Sequence, residues 1–454
     1  MKLPKYKKLA GELETAIQEG LLLPGARLPS VRELMTQHGL SLATVTSALR
    51  LLEEKGLIEA RAKSGYFVKV RRFDPGLPAT DCESGPPSNV QYWLPAEDLY
   101  PEERFKKLMA SVIRRHPYLA VRPLRESNHP KLVRELVKRS AESGCFLRER
   151  EILVTQGAAE AISLALRAVV RMGDRVAVQA PMTPWLSRLM QSLGVTPILL
   201  DFTVSDGLVG ALKKELAESD SPPKVLLVNP NFHCPTGGVL SLRDKRELLR
   251  IAEAHDLVVV EDDIFGDLQY EGSRPLPMKS FDSSGRVIYI NSTCRSLAPG
   301  LQIGWMAVAE PWRERIETLK ISSSSAVGEL MQLVLAEFLA AGSHLPHLRK
   351  LRAKLKARAE SYFEILAPAL GDLVTMPELS GAYSYYLPLS VPPGDQQVRA
   401  WSERWPNLFD SHKPIIAFAP QGLCLNTSHA LRDEDREALK ALCSSIKSHL
   451  EQAA

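Results

Sequence analysis

Residues 286–305 read RVIYINSTCRSLAPGLQIGW, a short β-branched run that breaks into a polar loop closed by Pro299-Gly300. Three earlier segments have the same design. EILV leads into TQGAAEA (151–161), KVLLV into NPNFHCPTGG (224–238), and LVVV into EDDIFGD (257–267). Between these runs lie amphipathic stretches such as EAISLALRAVVRMG (160–173) and LRDKRELLRIAEAH (242–255). Strand-like and helix-like segments that alternate in this way predict an α/β layer with a mainly parallel sheet. Ligands of such sheets bind at the carboxyl ends of the strands, so the four loops are expected to frame one pocket. TQGAAEA also opens a helix, whose first N–H groups suit a phosphate.

The chain has 454 residues, enough for two or three domains, with 45% apolar and 24% charged residues as in an ordinary globular protein. No apolar run approaches the roughly 18 residues of a membrane span. The basic start MKLPKYKKLAGELE has no apolar signal-peptide core, so a cytoplasmic protein is expected. Six scattered cysteines (82, 145, 234, 294, 424 and 443) form neither a metal-binding spacing nor a disulfide framework. Cys294 is read as a buried, inert thiol.

Charge is uneven. Residues 1–72 hold 13 Lys+Arg and 7 Asp+Glu, a balance of +6, while the remainder carries −2. A basic head on a near-neutral body suits a polyanion partner. Leu9, Leu13, Ile17 and Leu21 predict a first helix, broken at Pro24-Gly25. Ser30 with Glu33 is a capping box for a second helix ending at Gly39. A third runs from Ser41 to Gly56, and LIEARAKSGYFVKV reads as two strands around Lys63-Ser64-Gly65. This order is a winged helix-turn-helix (α+β). Its third helix would enter the major groove of double-stranded DNA with Ser41, Thr44 and Thr46 nearest the bases. Arg27, Arg32 and Lys63 would meet phosphates or groove edges, and Ser30 and Gly65 complete the expected contact set.

PGARLPSVREL (24–34) and LSLATVTSALRLLEEKGLIEARAKSGYFV (40–68) resemble the head of the GntR family of regulators. That family often carries Arg directly after the Ser of the recognition helix. Here the residue is Leu42, which puts the usual operator sequence in doubt but not DNA binding.

The four loops resemble those of fold-type I aminotransferases, and the whole chain resembles the MocR subgroup of GntR regulators. The resemblance implies a multidomain chain: a DNA-binding head (1–72), a Pro/Gly/Ser-rich linker (73–92), and an α/β fold-type I pyridoxal-phosphate-dependent transferase-like domain (93–454). It further implies a head-to-tail homodimer, hence two operator half-sites. Carried over residue by residue, the cofactor site is degenerate. Asp262 stands at the carboxylate that pairs with the pyridine nitrogen, and Ser292, Gly157 and Ala158 stand at phosphate positions. Arg295 replaces the Schiff-base lysine, and a guanidinium supplies no free amine. Gln302 replaces the phosphate-binding arginine, Cys234 the asparagine beside the phenolic oxygen, and Phe265 the tyrosine. Thr183 replaces the stacking aromatic, with Trp185 as a nearby substitute, and Cys424 replaces the carboxylate-binding arginine.

A covalent cofactor at the family position is therefore excluded. Lys279, 16 residues upstream of Arg295, offers no rescue. No catalytic residue, metal or resident cofactor is expected; non-covalent pyridoxal phosphate stays open through Asp262 and the helix start. Arg295 is expected to neutralise Asp262 by a salt bridge, to anchor a small anionic effector, or to be a solvated side chain with no role. His233 is not expected to pair with Cys234. RPLRESNHPKLVRELVKR (122–139) is expected to be a solvated helix face. The chain is thus expected to be a DNA-binding transcriptional regulator whose large domain dimerises and senses a ligand. The rival expectations are an aminotransferase with an accessory head and a ligand-independent dimeric DNA-binding protein.

Overall fold

The computed structural model describes residues 4–18, 22, 26–55, 57–61, 65–68, 94–122, 127–200, 207–324, 326–410, 415–419 and 422–453. Two units divide the chain, residues 1–85 and 86–454. The expected linker 73–92 and Lys63 lie outside the described residues, apart from nothing that bears on the folds below.

The head contains α1 (Lys5–Gln18), α2 (Val31–His38), α3 (Leu42–Glu54) and an antiparallel hairpin of β1 (Ile58–Arg61) and β2 (Gly65–Val68). The caps explain the boundaries. The Ser30 N–H donates to the Glu33 carboxylate at 2.6 Å and the Glu33 N–H returns to Ser30 Oγ, closing the capping box. Gly39 ends α2 in the left-handed region at φ 61°. Apolar residues at helical spacing then meet: Leu9, Leu13, Leu34, Val45, Leu49 and Leu52 pack with Ile58 and Val68 of the hairpin.

The large unit is built on a seven-stranded sheet. Its strands are β3 (Ile152–Gln156), β4 (Arg175–Gln179), β5 (Thr196–Leu200), β6 (Val225–Val228), β7 (Val258–Asp262), β8 (Val287–Ser292) and β9 (Ile303–Ala307). Their order across the sheet is β3-β9-β8-β7-β6-β4-β5. Strands β8, β7, β6, β4 and β5 run parallel, as the alternating sequence predicts. Strand β9 runs antiparallel to both β8 and β3, so the sheet is mixed. The physical reason is the link: the loop from Ser292 to Ile303 carries no crossover helix and can only bring the chain back antiparallel.

Alternate residues of each strand feed opposite cores. Leu226, Val259 and Tyr289 join the core on one face, and Val225, Val260 and Ile288 the core on the other. Helices α6 (Gly157–Val169), α7 (Pro184–Leu193) and α10 (Trp312–Ser323) cover the second face, while α5 (Pro130–Glu142), α9 (Leu242–Ala254) and α11 (Glu329–Ala340) cover the first. A smaller sheet of β10 (Ser384–Pro388), β12 (Gly422–Asn426) and β11 (Ile416–Ala419) forms a third core with α12 (His344–Leu370) and α14 (Asp433–Ala453). Among the described residues no helix is long and apolar enough to cross a membrane.

One close approach fixes the start of α6 against the sheet. Gly157 turns the chain from β3 into α6 at φ 76°. A Cβ added to Gly304 of β9 would fall 2.5 Å from the Gly157 carbonyl carbon and 2.9 Å from the Ala158 nitrogen, both backbone atoms. Gly304→Ala therefore pushes α6 off β9. Thermal or denaturant unfolding is expected to show a loss of about 1–3 kcal/mol; an unchanged midpoint would show that the two segments part freely.

Candidate functional site

In the head, α3 turns Val45, Ala48, Leu49 and Leu52 into the core and leaves Ser41, Leu42, Ala43, Thr46, Ser47 and Arg50 exposed. Of the residues expected nearest the bases, only Thr46 is both exposed and outside the cap. The Ser41 hydroxyl accepts from the Thr44 N–H and lies 2.9 Å from the Thr44 hydroxyl, so both hydroxyls serve the helix start. Ser30 is likewise occupied by its capping box. Arg27 and Arg32 are exposed, and the Arg27 guanidinium lies over Gly65 of the wing, 3.6 Å from where a Cβ would stand. Arg27 also bridges Phe67, so the segment before α2 runs along the hairpin as a third, short strand.

In the large unit, the loops after β3, β6, β7 and β8 do lie at the carboxyl ends of their strands, as expected. They are tied together by NPNFHC. Asn229 donates from Nδ2 to the Asp262 carbonyl and accepts at Oδ1 from the Cys234 N–H at 3.0 Å. Asn231 donates to Asp263 at 2.7 Å. Cys234 reaches the small sheet, its Sγ 3.6 Å from Ser384 Oγ. His233 bonds Thr236 at 2.9 Å, and burial pushes its pKa down to about 3, so it is a neutral structural residue, not a partner for Cys234.

Arg295 sits in the loop after β8. Its guanidinium donates to the Tyr383 hydroxyl and lies 5.7 Å from the centre of the Phe265 ring, which in turn packs 5.6 Å from the Tyr383 ring. Burial pushes the Tyr383 phenol above its usual range, against the pull of Arg295. Burial also raises the Asp262 carboxyl to about 7; the Ile264 N–H, 3.3 Å away, and the Arg295 charge only partly oppose it. Arg295 thus acts on Asp262 through its charge, but more weakly than burial does. The Tyr100 hydroxyl, within electrostatic reach of Tyr383, Arg295 and Cys294, is buried with no hydrogen-bond partner among the described residues.

The remaining family positions fit pyridoxal phosphate poorly. The Ser292 hydroxyl donates to the Ile303 carbonyl at 3.1 Å and accepts from the Cys294 N–H, so its proton is spent. At the α6 start the Glu160 carboxylate already takes the Gln156 N–H at 2.6 Å and is itself paired with Lys320. Gln302 is exposed at φ 48°. Phe265 has no hydroxyl to offer. Thr183 precedes α7 without a capping bond, and Trp185 packs against the core on the second face of the sheet, not as a ring over the pocket. Cys424 lies buried in β12, and burial holds both it and Cys234 as thiols. The buried lysines among the described residues are engaged elsewhere: Lys279 bonds Asp282 at 2.8 Å, Lys245 bonds Asn231 at 2.6 Å, and Lys320 bonds Glu160. Among the described residues no cluster of ligands could hold a metal.

A buried ion network beneath the loops was not foreseen. Asp263 accepts from Tyr289 at 2.9 Å and from Arg274 at 2.5 Å; Arg274 also bonds Asp267 at 2.8 Å, and Asp267 pairs with Arg139. Asp267 is held well below the usual carboxylate range because the pull of Arg139 and Arg274 outweighs its burial. Arg139 belongs to the stretch expected to be solvated; α5 buries it with Leu132, Val133 and Leu136. The apolar residues of that stretch recur at helical spacing, which signals a buried face, but the buried arginine has no such signal.

Comparison with known proteins agrees with both units. Residues 5–68 match the gntR family of bacterial regulatory proteins, and residues 100–399 match aminotransferase class I and II. The Escherichia coli protein YdcR, an uncharacterized HTH-type transcriptional regulator, is 30% identical over 86% of this chain and 87% of its own length. YjiR from the same organism, named in the same way, is 31% identical over 77% of this chain and 78% of its own. A multiple-substrate aminotransferase from Thermococcus profundus superposes with a TM-score of 0.69 at 22% identity, over 79% of this chain and 91% of that one. At that identity the likeness concerns the fold alone. The chain belongs to the MocR-type transcriptional regulators, in which a GntR helix-turn-helix head is joined to an aminotransferase class I/II domain.

The raised carboxyl at Asp262 gives a pH signature. Its ordinary value is 3.8 and its folded value about 7, so between them the unfolded chain releases a proton that the folded chain keeps. Stability from this group is therefore lost as pH rises across that window. Asp262→Asn removes the effect: the melting temperature of the variant relative to the parent is expected to climb from about pH 4 to about pH 8. A pH-independent difference would show that Asp262 titrates normally.

Proposed function

We propose that this regulator binds operator DNA through its head and that its large domain is a pseudo-aminotransferase: a dimerisation domain that senses a small anionic effector and performs no amino transfer. The observation that carries the reading is Arg295 in the loop after β8, held by Tyr383 and Phe265. A permanently protonated guanidinium there is incompatible with imine chemistry and suited to a carboxylate or phosphate. The partnerless Tyr100 hydroxyl beside it supports a ligand, since a buried polar atom without a partner costs stability that an acceptor or donor from a ligand would restore. Asp262, within electrostatic reach of Arg295, has its carboxyl raised by burial to about 7, so near neutral pH it can meet either a donor or an acceptor. Pyridoxal phosphate would meet this pocket only without a covalent bond. A head-to-tail homodimer would present two heads to two half-sites, with Arg27 and Arg32 on the phosphates.

The test is thermal unfolding of the full chain with succinate, glutarate and inorganic phosphate as anion probes, together with duplex binding at several salt concentrations. At least one probe is expected to raise the melting temperature of the parent and to leave Arg295→Ala unmoved, while DNA affinity falls with salt. Equal stabilisation of Arg295→Ala would refute the role of Arg295. No stabilisation by any probe would favour the ligand-independent scaffold.

A further inference from the structure

The recognition face of α3 is unusually apolar where it would meet DNA. Leu42, the first residue of the helix, is 59% exposed, and among the described head residues it is the one exposed large hydrophobic. Exposed Ala43 follows it, and Thr46 brings a γ-methyl group to the same side one turn on. The Ser41 and Thr44 hydroxyls bond each other, and Ser41 also takes the Thr44 N–H, which leaves Thr46 and Ser47 as the exposed hydroxyl residues beside Leu42 and Ala43. The charged residue of the exposed face, Arg50, stands two turns further along.

On the floor of the major groove the thymine 5-methyl is the apolar group that a leucine can cover. Guanine offers two acceptors at the same depth, and a leucine pressed against them excludes water and returns no donor. Leu42 therefore gains against thymine and loses against guanine. We propose that Leu42, backed by Ala43, is a specificity-determining residue that reads the methyl group of a thymine, so that each half-site carries an A·T pair there. This rests on the reading of the head as a DNA-binding unit with α3 in the major groove.

The experiment uses the full-length chain. Half-sites are first selected from a randomised duplex pool, and each thymine of the selected half-site is then replaced in turn by deoxyuridine, which lacks only the methyl. One replacement is expected to weaken the parent protein by about four-fold, the value of one buried methyl group. Leu42→Ala is expected to lose that penalty at the same position while still binding DNA, and Leu42→Arg to shift selection there toward guanine. Neutral deoxyuridine at every position, or a penalty that survives intact in Leu42→Ala, would overturn the proposal. Failure of the pool to enrich any sequence would instead overturn the DNA-binding geometry on which it rests, and the proposal with it.

Discussion

The large domain turns on one fixed charge. Arg295 cannot lose its proton under any ordinary condition, and the fold places it in the loop after β8, at the carboxyl end of the sheet. The surroundings accommodate the charge: Tyr383 accepts its hydrogen bond and the Phe265 ring offers its face. Phe265 and Arg295 thus support one another, and the two departures from the aminotransferase pattern read as a matched pair. The same charge leaves Asp262 only partly compensated, which is why burial prevails there.

That geometry depends on loops tied to one another by hydrogen bonds and ion pairs. The EDDIFGD segment divides its carboxylates between tasks. Glu261 accepts the N–H groups of Met278 and Lys279, Asp263 and Asp267 anchor the Arg274–Arg139 network, and Asp262 accepts the Ile264 N–H at 3.3 Å. Removing one partner of such a buried network strands a charge at a cost of about 3–5 kcal/mol. The aminotransferase-type fold is held further by the close approach of Gly304 to Gly157 at the α6 start.

Local features were legible in the sequence. Capping of α2 and α3, the Gly39 stop, the wing and the strand-to-loop rhythm each depend on residues a few positions apart. The antiparallel turn of β9 was foreseeable from its short link but was submerged in the expectation of parallel strands. The partners of Arg295 were not legible. Tyr100 and Tyr383 lie far from it in the chain, and only tertiary packing brings them together. Arg139 was misplaced for the same reason: its partner Asp267 is 128 residues away. The Ser30 and Ser41 hydroxyls, expected at DNA, also cap the starts of α2 and α3, and Thr44 bonds Ser41.

The central claim is that the guanidinium at 295 has ended covalent cofactor chemistry while the fold persists. The most direct test is to mix the full chain with pyridoxal phosphate, record the visible spectrum, reduce with borohydride and map any modified residue by mass spectrometry. The account predicts the spectrum of the free cofactor and no specific adduct in the large domain. A shifted absorption band together with a single reduced adduct on a lysine of that domain would contradict it.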